Sequence, residues 1–141
     1  MGKLYLAYGS NMNFKEMMKR CQNAQLIGPA IIENWKLVFR GKDGFAYATI
    51  EPSDDSFVPA LLWEIGKKDE DALDKYEDYP YLYRKEIVGA ICEDKSINAM
   101  TYIMNPGYDI GKPSKRYYNI IKQGYIDAGF DVELIENILR N

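Results

Sequence analysis

Short runs of β-branched and aromatic residues recur along the sequence, and only a few of the segments between them have the period of a helix. Many strands with few intervening helices favour an α+β fold with a strongly curved or closed sheet, because a doubly wound fold needs a helix after almost every strand. Strands are predicted at residues 3–8, 35–39, 46–50, 58–65, 83–91 and 97–104. The chain has 141 residues, of which 47% are hydrophobic, so we expect one core and a single domain over residues 1–141.

The remaining periodic segments predict four helices. They are a short helix capped by Asn13, a helix from residues 69–71 to about Pro80, an amphipathic helix over residues 114–128 and a last helix after Asp131. The first follows the first strand almost directly, so residues 8–13 are expected to form a strand-to-helix turn.

The charge pattern argues against a nucleic-acid partner. Lys and Arg number 18 and Asp and Glu 21, which gives a formal charge of -3 with no long block of one sign. The twelve tyrosines are not interleaved with basic residues, so we expect them in a core or a pocket and not as a stacking surface for bases. The apolar run at residues 4–8 is too short for a signal peptide, and no segment is long enough to span a membrane. We therefore expect a cytoplasmic protein without a membrane partner.

The sequence contains no histidine, which excludes Ser-His-Asp triads, Cys-His pairs and zinc sites that use histidine. Cys21 and Cys92 are far apart and outside any metal-ligand spacing, so we expect reduced thiols, with a disulfide as the alternative. No metal and no cofactor are expected. Any chemistry has to use carboxylates, tyrosines or the backbone.

The segment Tyr8-Gly9-Ser10-Asn11 joins the first strand to the first helix. Unpaired backbone N–H groups at a helix start can hold a carboxylate or an oxyanion, and glycine lets a ligand approach the backbone closely. The Ser and Asn side chains add further hydrogen-bonding capacity. The alternative is a plain turn, which these residue types alone favour.

Glu77 is the acidic residue nearest to the apolar stripe of the second helix, one turn after Leu73. Desolvation among the neighbouring tyrosines would raise its pKa and suit it to proton transfer near neutral pH. Those tyrosines are Tyr76, Tyr79, Tyr81 and Tyr83. The alternative is a solvent-exposed carboxylate at the helix end, which the rarity of buried glutamate favours. The acids predicted to be solvated are Asp71, Asp74 and Asp78.

Five segments in order resemble the γ-glutamylcyclotransferase superfamily, also known for its γ-glutamylcyclotransferase-like or avirulence-induced-gene-like fold. They are the first strand with residues 8–11, Leu73-Asp74 followed by Glu77, Tyr83, residues 100–104 around Tyr102, and Pro113-Ser114 followed by Tyr117. The resemblance implies a small mixed β-barrel flanked by helices, and it favours the functional interpretation of both the loop and Glu77.

The resemblance also implies the site residues and the reaction. Glu77 corresponds to the family's single catalytic glutamate, and the implied substrate-binding residues are Tyr8, Gly9, Ser10, Asn11, Tyr83, Tyr102 and Tyr117. The implied partner is a small γ-glutamyl compound, as in glutathione metabolism, whose α-amine attacks its own γ-carbonyl to give 5-oxoproline and a released amine. This reaction needs no histidine, because the substrate supplies the nucleophile.

Several alternatives remain open at the level of sequence. A binding module that senses a small carboxylate metabolite in the same pocket is the alternative function. Asp78, beside Glu77, and Glu86, in the next strand, are candidates to modulate the base. The aromatic segment Tyr79-Pro80-Tyr81 departs from some relatives and predicts a different pocket shape. The leaving amine is open, and so is the oligomeric state, with a homodimer as one arrangement.

Overall fold

The computed structural model of the chain describes residues 2–140, within which five strands close into a barrel in the order β1-β3-β2-β4-β5. The strands are β1 (Lys3–Ala7), β2 (Gln25–Arg40), β3 (Tyr47–Ile65), β4 (Tyr83–Cys92) and β5 (Lys95–Met104). Neighbouring strands are antiparallel except β1 and β5, which run parallel and close the barrel at Tyr5 and Met100. The predicted mixed barrel flanked by helices is confirmed. The predicted domain boundaries, residues 1 and 141, lie outside the described residues.

The four predicted helices are present, and a 3₁₀ turn precedes the first of them. They are a single 3₁₀ turn (Ser10–Met12), α1 (Phe14–Arg20), α2 (Lys67–Tyr76), α3 (Lys115–Ala128) and α4 (Glu133–Arg140). No helix in residues 2–140 is long and apolar enough to cross a membrane. Cys21 and Cys92 are both buried free thiols.

Strands β2 and β3 are much longer than the sequence predicted. β2 begins at Gln25, and β3 joins the two predicted strands at 46–50 and 58–65 into one. Instead of the expected break between those two strands, the pairing of β3 with β2 shifts its register. Glu33 pairs with Phe57, but Trp35, two positions further along β2, pairs with Pro52. The polar residues 53–56 are therefore accommodated as an irregularity within a continuous ribbon.

Glu77 lies at the end of α2. The helix was expected to run to about Pro80, but it ends at Tyr76 with Glu77 as its C-cap. The Glu77 N–H still donates to the Leu73 carbonyl at 2.8 Å, and Asp78 then turns the chain with a φ of 55°. Glu77 is therefore held by the last turn of the helix, while the residues after Asp78 leave in another direction.

Helix α3 holds the turn after β1 against the barrel. The Ser114 hydroxyl caps α3 by accepting from Tyr117 N at 3.1 Å, and Gly129 ends the helix with a φ of 82°. Gly124 packs so tightly that a Cβ there would lie 2.7 Å from Met12. Asn13 caps α1 and also donates to the Ile120 carbonyl at 3.1 Å. The turn that carries residues 9–11 is thus fixed from two sides.

Candidate active site

A cavity of about 260 Å³ opens where β1 runs into the 3₁₀ turn and where α2 ends. All the predicted site residues line it: Tyr8, Gly9, Ser10, Asn11, Glu77, Tyr83, Tyr102 and Tyr117. The barrel brings together in one cavity segments that are distant in sequence. Several further residues line the cavity without having been predicted for the site, among them Tyr5, Tyr47 and Thr101.

Glu77 is an acid in this cavity whose pKa burial raises strongly. Desolvation by burial raises the pKa of Glu77 from 4.5 to about 7, and the positive charge of Arg20 acts in the opposite direction. The side chain keeps some accessible surface and lines the cavity, so a ligand can reach it. A carboxyl with a pKa near neutrality can both accept and return a proton under physiological conditions.

The aromatic surroundings of Glu77 differ in part from those predicted. Tyr76 and Tyr83 line the cavity, as expected. Tyr79 and Tyr81, in contrast, are 37% and 78% exposed and do not line it. The reason is the turn at Asp78, which directs the following residues away from the helix end. Their place is taken by tyrosines from the barrel strands, which the local sequence around Glu77 could not reveal.

The loop of residues 9–11 presents its backbone, because its side chains are engaged within the protein. Ser10 Oγ lies 2.8 Å from the Tyr76 hydroxyl, and the Asn11 amide contacts both Tyr5 and Arg20. These contacts fix the shape of the loop, and the contribution of the two side chains to ligand binding stays a prediction. Met12 and Asn13 donate to the carbonyls of Gly9 and Ser10, at 3.0 and 3.1 Å, while the first N–H groups of such a turn have no partner within it. Their binding of an anionic group stays a prediction.

Arg20, at the end of α1, is a residue that no sequence signal singled out. Its guanidinium donates to Asn11 Oδ1 at 2.7 Å and to Glu16 Oε1 at 3.0 Å. The same group lies 3.6 Å from the centre of the Tyr76 ring, in cation–π contact. Arg20 thus connects the loop, α1 and α2 behind the cavity wall.

The tyrosine hydroxyls in the cavity fall into two groups according to their protein partners. In the first group, each hydroxyl donates its proton within the protein. The Tyr8 hydroxyl donates to the Tyr102 carbonyl and the Tyr83 hydroxyl to the Ala48 carbonyl, at 2.6 Å in the second case. The Tyr102 hydroxyl donates to Asp74 Oδ1 at 2.6 Å. The Tyr117 hydroxyl instead accepts from Ala48 N at 3.1 Å and keeps its proton. Burial raises the pKa of Tyr8, Tyr83 and Tyr117 above the ordinary tyrosine value, so these groups remain neutral.

The other predicted acids have separate environments. Asp74 was expected to be solvated, but it is partly buried and accepts from the Tyr102 hydroxyl, 28 positions further along the chain. Asp71 is exposed, as expected, and pairs with Lys67. Asp78 lines the cavity beside Glu77. Glu86 does not reach this cavity; it pairs with Arg84 at 2.5 Å and lines a second cavity of about 620 Å³.

The closed mixed barrel thus holds a small tyrosine-lined cavity, which contains both Glu77, whose pKa is raised to about 7, and the strand-to-helix loop of residues 9–11. The family described as "Gamma-glutamyl cyclotransferase, AIG2-like" matches residues 5–125. The chain belongs to this family.

Individual relatives agree with this assignment. The chain is similar to γ-glutamylcyclotransferase of Homo sapiens, with 29% identity over 96% of this chain and 76% of the relative. It is 30% identical to γ-glutamylcyclotransferase of Bos taurus, over 92% of this chain and 73% of the relative. A solved structure titled γ-glutamyl cyclotransferase superimposes with a TM-score of 0.87 and 26% identity, covering 99% of this chain and 87% of that one.

Proposed function

We propose that this chain is a γ-glutamylcyclotransferase-type enzyme that converts a γ-glutamyl group to 5-oxoproline and releases an amine. The observation that carries the proposal is the position of Glu77, whose pKa is raised to about 7, in the same cavity as the loop of residues 9–11. The names of the relatives support the reaction type. The proposed substrate is a small γ-glutamyl compound, of the kind that occurs in glutathione metabolism, and the proposed location is the cytoplasm.

In the first step, the Glu77 carboxylate takes a proton from the α-amino group of the substrate. The amine nitrogen then attacks the γ-carbonyl carbon of the same molecule, and the new C–N bond closes a five-membered ring. Holding the two ends of one molecule together exploits proximity, for which intramolecular reactions reach effective molarities of about 10⁵ M or more. The enzyme therefore has to orient the substrate and move protons, and it needs no nucleophile of its own.

In the second step, the protonated Glu77 returns a proton to the leaving nitrogen. The old C–N bond breaks as the carbonyl re-forms, the amine departs and the carboxylate of Glu77 is restored. The ring nitrogen gives up its second proton, which the released amine takes up. One carboxyl can perform both transfers if its pKa lies near the working pH, because neither protonation state is then strongly favoured. Burial in the cavity provides this pKa.

The substrate also carries two groups that need hydrogen-bond donors, the α-carboxylate and the oxyanion that develops on the γ-carbonyl. The free N–H groups of residues 9–11 are proposed to bind one of them. The Tyr117 hydroxyl lies 3.6 Å from the position that a Cβ on Gly9 would occupy, and it has a free proton. It can therefore act together with the loop as a donor to the same group.

The test of the proposal is Glu77→Gln, which keeps the shape of the side chain but cannot carry a proton. Wild type and variant are incubated with γ-glutamyl amino acids and γ-glutamylamines, and 5-oxoproline is followed by mass spectrometry. We expect the variant to fold and to lose about 10²-fold or more of the turnover. Glu86→Gln is the matched control, since it makes the same change outside the cavity and should retain turnover.

Two outcomes would contradict the proposal. Wild-type release of 5-oxoproline by the Glu77→Gln variant would remove Glu77 from the mechanism. Saturable binding of γ-glutamyl compounds by the wild type, without turnover of any of them, would favour the sensing module.

A homodimer also remains a prediction, which light scattering coupled to size-exclusion chromatography can test.

A further inference from the structure

Asp74 controls what the Tyr102 hydroxyl can offer to a ligand. The hydroxyl donates to Asp74 Oδ1 at 2.6 Å, and Lys85 Nζ lies 2.9 Å from the same carboxylate oxygen. Lys85 also binds Glu70 at 2.7 Å, so the ammonium is held in place independently of Asp74. An ionised carboxylate can only accept hydrogen bonds, which commits the proton of Tyr102 to Asp74.

The oxygen of Tyr102 consequently has only lone pairs left for the cavity. Tyr8 and Tyr83 are in the same condition, because their protons are donated to backbone carbonyls. Among these cavity hydroxyls, that of Tyr102 is the one whose direction depends on an ionised side chain. A change at Asp74 can therefore alter one hydroxyl without moving the backbone that holds the others.

We propose that Asp74 is a positioning residue that, through Tyr102, makes this wall of the cavity a hydrogen-bond acceptor for the α-amino group of the substrate. The proposal rests on the proposed function. An amine that donates its N–H groups to acceptor oxygens keeps its lone pair free for attack on the γ-carbonyl. A hydroxyl that donated to the nitrogen would occupy that lone pair and slow the cyclisation.

Two substitutions at Asp74 separate this role from a purely ionic one. Asp74→Leu removes the acceptor and leaves the Tyr102 proton free to turn towards the cavity. Asp74→Asn also removes the charge, but its amide oxygen can still accept from Tyr102 and Lys85. If Asp74 acts through the hydroxyl, the Asn variant keeps most of the function that the Leu variant loses. If only the ion pair with Lys85 matters, the two variants are equally impaired.

The readout is the preference for a γ-glutamyl compound over its deamino analogue, a glutaryl amide with the same leaving amine. Affinities for both are measured in a Glu77→Gln background, so that no turnover interferes. We expect Asp74→Leu and Tyr102→Phe each to reduce the preference for the amino compound by about tenfold or more, in line with hydrogen bonds to charged groups. Asp71→Leu, on the same helix but exposed and paired with Lys67, is the matched control and should leave the preference unchanged.

The double variant shows whether Asp74 acts through Tyr102. Adding Asp74→Leu to Tyr102→Phe should cause no further loss of preference, whereas additive losses would overturn the proposal. If Asp74→Leu does not fold, Tyr102→Phe tests the same wall with the Asp74–Lys85 pair intact. If the wild type releases 5-oxoproline but Tyr102→Phe leaves the preference for the amino compound unchanged, the role of Asp74 and Tyr102 is overturned and the proposed function is not. A loss of the preference in a protein that turns over no γ-glutamyl compound overturns the proposed function alone.

Discussion

Arg20 fixes the orientation of the Asn11 amide, because Nη1 of the guanidinium donates to Asn11 Oδ1 at 2.7 Å. A guanidinium cannot accept, so the amide oxygen has to face Arg20 and the amide nitrogen has to face Tyr5, to whose hydroxyl it donates at 3.0 Å. Tyr5 therefore accepts within the protein and keeps its own proton for the cavity. The charge of Arg20 also lowers the pKa of Glu77, against the larger effect of burial.

Replacing Arg20 with methionine should raise the pKa of Glu77 above its wild-type value. The substitution removes the positive charge that favours the carboxylate, so the ascending limb of the pH profile of kcat/KM should move to higher pH. Arg20→Lys keeps a charge and should move the limb less. A limb that stays in place in Arg20→Met, or moves to lower pH, would contradict the electrostatic link between Arg20 and Glu77.

Glu77→Gln should stabilise the fold at alkaline pH. The pKa of Glu77 is about 7 in the folded protein and near 4.5 in the unfolded chain. The contribution of this carboxyl to stability is therefore fully present below about pH 4.5 and is lost as the pH rises through 7. Glutamine carries no charge to desolvate, and the gain at pH 8 should be on the order of 1–3 kcal/mol. At pH 4 the gain should vanish.

Urea unfolding at the two pH values measures this difference. Glu86→Gln provides the control, because Glu86 lies outside the cavity in a partly exposed ion pair and should give no gain at pH 8. An equal effect of Glu77→Gln at both pH values would show that the carboxyl is not desolvated in the folded state.

Gly124→Ala should destabilise the protein although it lies inside a helix. Alanine has the higher helix propensity by about 1 kcal/mol, but its Cβ would lie 2.7 Å from Met12 and 2.8 Å from the backbone nitrogen of Asn13. Relief of this overlap has to move the loop away from α3, with an expected loss of about 1–3 kcal/mol and a fall in turnover. Thermal unfolding and 5-oxoproline release measure the two effects. Asn119→Ala, on the exposed face of α3, is the control, and a variant at residue 124 as stable as that control would refute the close packing.

The fold was predictable where the local pattern carries the information. The positions of the barrel strands, the Asn13 cap and the end of α3 at residue 128 follow from residue types within a few positions of one another. The continuity of β3 was not predictable, because the polar segment around Pro52 is typical of a loop and is accommodated by the register of β2. The conformation of such a segment is determined by its pairing with the neighbouring strand and not by its own residue types.

In the candidate site, too, some residues could be predicted from the sequence and others are defined only by contacts between distant segments. Glu77 and the loop were chosen as candidates through the resemblance of five ordered segments to a known family, because their own residue types favoured a solvated carboxylate and a plain turn. Asp74 was expected to face solvent from its helical phase, yet Lys85 and Tyr102 reach it from β4 and β5. Arg20 gave no signal, since its contacts with Asn11 and Tyr76 reach outside its own helix. Charged residues that act behind a cavity wall are defined by tertiary contacts, which a single sequence does not show.

The central claim is that Glu77 exchanges a proton near neutral pH, and a direct titration of its carboxyl tests it most closely. Carbon-detected NMR of protein with ¹³C-labelled side-chain carboxyls follows each glutamate, and the spectrum of Glu77→Gln assigns the signal. We predict a midpoint at about pH 7 for Glu77. A midpoint near 4.5, the ordinary value for glutamate, would contradict the account.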